Sequence, residues 1–146
     1  MFLEISSISS SVKNPSWWWY ATGPGIGIQI KKGPRKGRLV IPANHTTKGH
    51  YGAHTLYSDD GGDTWTKKTS GLPQGLIGKI DLAVSPADPN VLYALVEAPE
   101  DEGGMYYSND RGESFTQVSK DKGIINRPFY YCNVETNPQN ANSLYV

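Results

Sequence analysis

Cysteine is nearly absent. Cys132 is the only one, so no disulfide can close within the chain and a disulfide-stapled scaffold is excluded. It lies in the aromatic run PFYYCNV and reads as a small buried residue rather than a nucleophile. Net charge is missing too: 14 basic residues balance 14 acidic ones. That removes the electrostatic footprint expected of a protein that binds nucleic acid or an anionic membrane surface. Long apolar runs are lacking as well. The opening MFLEISSISSSVK carries Glu4 and no sustained apolar core, so it reads as neither a signal peptide nor a membrane helix, and the compartment stays open. Finally, no window of a dozen residues repeats apolar positions at helical spacing without glycine or proline interrupting, so no helix is expected.

What is present points to short strands and many turns. The 146 residues include 16 glycines, 10 prolines and 9 tyrosines, with 37% hydrophobic residues, enough for an ordinary core. Strands are expected over 16–20, 27–30, 38–42, 54–58, 66–69, 78–84, 91–97, 104–108, 115–119 and 128–135, with another beginning at Leu144. Turns fall at KKGPRKG, SPADPN and TNPQNAN. The class is all-β.

The chain also repeats itself. SDDGGDTW, from Ser58 to Trp65, returns 50 residues later as SNDRGESF, from Ser108 to Phe115. SPADPNVLYA from Ser85 aligns with NPQNANSLYV from Asn137, pairing Asn90 with Asn142 and Leu92 with Leu144 at an offset of 52. A period near 50 with about four short strands is that of a β-propeller blade. Propellers need about four to eight blades to close. These residues supply about two to three four-stranded antiparallel blades, a partial propeller that either belongs with further blades or assembles with copies of itself.

The acidic octet allows a metal, a catalytic or a structural reading. An EF-hand loop needs alternating oxygen ligands and a glutamate at its twelfth position. SDDGGDTWTKKT carries lysines where the later ligands belong. Catalysis would bring Asp60 and Asp110 to one centre, yet they hold equivalent places in successive repeats. A turn explains each position. Ser58, Asp60, Ser108 and Asp110 accept bonds from turn amides, and Gly62 and Gly112 take positive φ. Thr64 and Ser114 add short-range bonds. Trp65 and Phe115 then plug the space between neighbouring sheets, so that truncating a buried Trp65 to alanine costs about 3–5 kcal/mol.

The octet resembles the Asp-box of sialidases and related BNR-repeat propellers. The region from about Glu4 to Trp65 is similar to exo-α-sialidases through WYATGPG (Trp19 to Gly25), GIQ (Gly27 to Gln29) and GRLVIP (Gly37 to Pro42). Residues 71–146 are more similar to sortilin-like and xyloglucanase-like Asp-box repeats. The expected organisation is a single partial propeller, with a sialidase-like blade region over 1–70 and a second Asp-box blade plus the start of a third over 71–146.

The resemblance implies a glycoside hydrolase that grips the substrate carboxylate with three arginines and uses a tyrosine nucleophile, backed by a glutamate, and an acid/base aspartate. No residue here matches a family position for that set: Arg35, Arg38, Arg111 and Arg127 lie in other motifs. No catalytic residue is therefore assigned, and the chain alone is expected to be inactive. Asn44 and His45, in the loop that follows GRLVIP in the family, are the candidates to touch a sugar; a solvated loop pair is the other reading. His45, His50 and His54 share no fixed face, so no metal is expected, and no cofactor either. Trp17 and Trp19 should point one way and Trp18 the other, filling space between blades rather than forming a sugar platform.

The implied partners are a sialylated or other glycan, and further blades or copies of this chain. A secreted or periplasmic location would follow for a parent of the usual sialidase kind. The alternative is a non-catalytic Asp-box module that binds protein or glycan, as sortilin-like propellers do.

Overall fold

A computed structural model describes residues 9–22, 26–68, 70–128 and 132–146. The architecture is all-β, with antiparallel sheets that do not close into a ring, as a partial propeller requires. The first sheet comprises β1 (Trp19–Thr22), β2 (Ile28–Gln29), β3 (Leu39–Thr47), β4 (His50–Ser58) and β5 (Thr66–Lys68). Its order is β1-β3-β4-β5, with β2 also paired to β3. The second sheet runs in sequence order through β6 (Ile80–Val84), β7 (Leu92–Val96), β8 (Gly104–Ser108) and β9 (Thr116–Ser119). A two-stranded third sheet pairs β10 (Glu135–Thr136) with β11 (Leu144–Tyr145). No described helix is long and apolar enough to cross a membrane.

Several expectations need correction. A one-turn helix, α1 (Ser9–Val12), and 3-10 turns at Glu100–Glu102 and Lys122–Ile125 interrupt the strands. The first strand starts at Trp19, not Ser16. The Asn14 side chain accepts from the Ser16 amide at 2.9 Å and the Trp17 amide bonds the Asn14 carbonyl, holding that stretch in a turn. β3 and β4 run much further than 38–42 and 54–58, as a hairpin in register from Leu39↔Ser58 to Thr47↔His50. Lys48 and Gly49 make its two-residue turn, and Gly49 supplies φ 79°. Thr46 and Thr47 favour the extended backbone that carries the hairpin outward. Of the segment 128–135, residues 129–131 lie outside the described residues, and the described strand begins only at Glu135. Residues 23–25 of the WYATGPG motif and Thr69 also lie outside them.

The repeat is visible in the hydrogen bonds. Arg38, Val91 and Ser143 each begin the second strand after the same turn. Their carbonyls accept from Ile30, Ser85 and Asn137, and their own amides bond Arg35, Asp88 and Asn140. The Asp88 carboxylate caps the Asn90 amide as the Asn140 side chain caps Asn142.

Two cores follow from strand alternation. Leu82, Leu92, Ala94, Val96, Tyr106 and Phe115 on one face of the second sheet meet Val40 and Ala53 of the first. On its other face, Ala83, Tyr93, Leu95 and Met105 meet Cys132 and Val134 at the third. Cys132 is fully buried, and burial pushes its thiol up to about 11, which leaves it protonated and inert.

Candidate functional site

The two acidic octets form the same turn. Ser58 Oγ donates to Asp60 Oδ1 at 2.7 Å and accepts from the Gly62 amide at 2.8 Å. Ser108 repeats both bonds with Asp110 and Gly112 at 2.7 and 2.8 Å. Asp60 accepts from the amide and hydroxyl of Thr64, and Asp110 from those of Ser114. Gly62 at φ 109° and Gly112 at φ 81° lie against the equivalent pairs Leu39/Trp65 and Leu92/Phe115. The Thr64 bonds, then the Ser58 bond, hold the Asp60 carboxyl well below its usual range. Burial raises Asp110, but its bonds from Ser114 and Ser108 outweigh that and lower it on balance. Both aspartates are saturated with turn donors.

The aromatic plugs differ. Phe115 is 5% exposed between the sheets. Trp65, expected to be buried in the same way, is only half-buried and donates its indole N–H to the Gly62 carbonyl at 2.9 Å. The first sheet covers Phe115, whereas no described sheet covers the equivalent face of the first sheet.

Arg38 joins the two turns. Its Nε and Nη2 donate to both Asp59 oxygens at 2.7 Å, and its Nη1 donates to Glu113 at 2.8 Å. The guanidinium is buried and lies 3.9 Å from the Tyr57 ring centroid. Lys68 adds a second cation to Glu113 at 2.6 Å, and Arg35 a looser contact to Asp59 at 3.6 Å. Arg38, chiefly through its hydrogen bond, lowers Asp59, and Lys68 then Arg38 lower Glu113. This residue had read only as part of a strand motif; its role depends on Glu113, 75 residues away.

Asn44 and His45 are not in a loop. Both sit in β3, opposite Ala53 and Gly52, and so on opposite faces of the sheet. His45 lies flat over Gly52, where an added Cβ would meet its ring at 2.7 Å. Trp17 stacks on the His45 ring at 3.9 Å and also contacts Tyr20 and His54. His54 is fully buried, and among the described residues both its ring nitrogens, the Tyr20 hydroxyl, His45 Nδ1 and Asn44 Oδ1 are buried without a hydrogen-bond partner. Burial, then Lys67 and His45, push His54 down to about 3. Burial and Lys67 lower His45, so both rings are neutral at pH 7. His45 also lines a cleft of about 500 Å³ with His50, Tyr51, Lys67, Gln74 and Leu76.

Trp18 and Trp19 do not fill space between blades: they are 70% and 52% exposed. Trp19 pairs with Thr46, which pairs with Tyr51, so Trp19 and the 60% exposed Tyr51 stand on one side of the sheet.

Comparison with known proteins matches residues 7–144 to the BNR repeat-like domain. The chain is 30% identical over 129 residues to an anhydrosialidase of Macrobdella decora, covering 82% of this chain and 17% of that protein. It is 27% identical over 115 residues to a sialidase of Bacteroides fragilis, covering 76% of this chain and 19% of that one. Among solved structures, a leech intramolecular trans-sialidase superposes with a TM-score of 0.59 at 28% identity, over 79% of this chain and 16% of that one. A Hadza microbial sialidase gives a TM-score of 0.59 at 25% identity, over 79% and 21%. The chain thus spans about a fifth of the length of the curated relatives it matches. The chain belongs to the BNR repeat-like domain family, with the Asp-box fold of the sialidase superfamily.

Proposed function

We propose that this chain is a glycan-handling part of a sialidase-type propeller, in which the cleft beside His45 receives a sialylated glycan and the chain alone carries no hydrolysis. The observation that carries the reading is the engagement of Arg35 and Arg38 by carboxylates of the turns. A sialoside carboxylate is best gripped by converging guanidinium groups. Arg38 is instead committed to Asp59 and Glu113, and Arg35 shares Asp59. A neutral His45 can still donate to or accept from a sugar hydroxyl, and the exposed Tyr51, which lines the same cleft, offers an apolar face for a sugar ring. The leech enzyme, solved with 2,7-anhydro-Neu5Ac, supports a sialylated ligand.

A second reading, a binding module without sialic-acid specificity, is favoured by the 70% exposure of Trp18. Saturation-transfer NMR with 3'-sialyllactose and with lactose, beside a fluorogenic sialoside assay, separates the readings. The first predicts saturable binding of 3'-sialyllactose alone, weakened by His45→Ala, and no product release. Equal binding of lactose moves the assignment to the second reading. Sialoside turnover by this chain contradicts both.

A further inference from the structure

We infer that the cavity built on β6, between the first and third sheets, binds a small zwitterion with an apolar body, the class of a free aliphatic amino acid. Its ammonium group would sit on Asp81 and its carboxylate at Lys31 and Lys32. The cavity holds about 420 Å³, within the range of small-molecule sites.

Asp81 is the anchor. It is 6% exposed, and one of its oxygens accepts from the Val134 amide at 2.9 Å. No other hydrogen bond and no cation reaches this carboxylate among the described residues. A carboxylate has acceptor positions on both oxygens, and burying it with one neutral donor is costly unless a cation joins it. The second oxygen has no partner and is not sealed in the core, so it faces the cavity that Asp81 lines. Glu135, exposed on the third-sheet wall, adds a second acid.

The opposite wall is basic. Lys31 and Lys32 open the turn between β2 and β3, and both are exposed at the rim. Lys31 donates to the Gln29 side-chain oxygen, which is neutral, and neither lysine has an ion-pair partner among the described residues. The two walls are fixed to β6. Gly33 of the first turn lies against Pro89, where an added Cβ would come within 3.2 Å, and Thr136 donates to the Val84 carbonyl at 2.9 Å. Ile28, Val84 and Val134 supply the apolar lining between the charged ends. A ligand with one charge would leave one wall uncompensated; a zwitterion answers both. This cavity is separate from the His45 cleft. β3 runs from the turn beside Lys31 and Lys32 to the hairpin at Lys48, so the two lie at opposite ends of it.

The test is an amide chemical-shift titration of the isotopically labelled full chain with three molecules of one carbon skeleton. They are L-leucine, isoamylamine, which lacks the carboxylate, and isocaproate, which lacks the ammonium group. L-leucine should give saturable shifts at Val134 and across Asp81–Ser85. Isocaproate should bind about tenfold more weakly, because it leaves Asp81 bare. Isoamylamine should bind about threefold more weakly, since the lysines are solvated. Lys31→Gln with Lys32→Gln, both at exposed positions, should bring L-leucine to the affinity of isoamylamine. Asp81→Asn should abolish the L-leucine shifts; because it also disturbs the Val134 bond, the three molecules on the unaltered chain decide the matter. Absence of saturable L-leucine shifts in that folded chain would overturn the assignment. So would isocaproate binding as tightly as L-leucine, or L-leucine binding unchanged by the two lysine substitutions.

Discussion

The Asp-box at Ser58 and the one at Ser108 have the same internal geometry in different surroundings. Within each turn the serine, aspartate and glycine bonds agree to a tenth of an ångström. Beyond the turn, Phe115 sits in a closed inter-sheet core while Trp65 lies half-open over its own loop. An Asp-box is therefore a self-sufficient local motif, closed by short-range hydrogen bonds. Its aromatic contributes to the fold only in proportion to what covers it. Arg38 belongs to both environments, because it bonds Asp59 of one turn and Glu113 of the other.

The largest expected effect breaks the closed side. Phe115→Ala should cost about 3–5 kcal/mol in a denaturant titration, as full truncation of a buried aromatic does. Arg38→Met comes next, at about 2–3 kcal/mol, because it leaves Asp59 and Glu113 without their shared donor. The figure sits below that for a wholly buried pair, since both carboxylates are partly solvated. Trp65→Ala should cost only about 1–2 kcal/mol, less than for a buried indole. Equal losses at Trp65 and Phe115 would erase the distinction between the two surroundings.

Smaller effects sharpen it. His54 has a folded-state pKa lowered from 6.5 to about 3, so the unfolded chain takes up its proton first. Stability should fall as pH drops from about 6.5 toward 3, and His54→Leu should flatten that slope in melts across the range. Asp59 and Glu113 are also lowered, so their contribution is complete above about pH 4.5 and is lost as pH falls through their folded values. Glu113→Gln should remove part of that acid limb and leave the His54 limb unchanged. At the smallest end, Arg111 takes φ 68° where the first turn has Gly61 at φ 79°. Arg111→Gly should be neutral or stabilising by up to about 1 kcal/mol, whereas the same change in a β-strand destabilises.

The parts legible in the sequence are those governed by local chemistry. The octet announced its turn because serine, aspartate and glycine at fixed spacing leave few other uses. The offsets of 50 and 52 announced the repeat, and the strand expected over 91–97 is β7, Leu92–Val96. The less legible parts depend on contacts across the chain. Asn44 and His45 read as loop residues because a loop follows GRLVIP in the family that the motif resembles, yet pairing with β4 carries β3 on to Thr47. The three tryptophans looked like packing material, but Trp18 and Trp19 are exposed, while Trp17 stacks on His45. Arg38 looked unremarkable because neither of its carboxylates is near in sequence. Trp65 and Phe115 looked equivalent because their octets are, and an octet does not record which sheet lies against it.

The most direct test of the open-versus-closed comparison is hydrogen exchange on the full chain, read at the two outer strands. β5 adjoins the open turn and β9 the closed one. Unequal coverage predicts that amides of Thr66–Lys68 exchange about tenfold faster than those of Thr116–Ser119 under native conditions. Equal protection, or faster exchange in β9, would contradict the claim that Trp65 faces an unfilled surface.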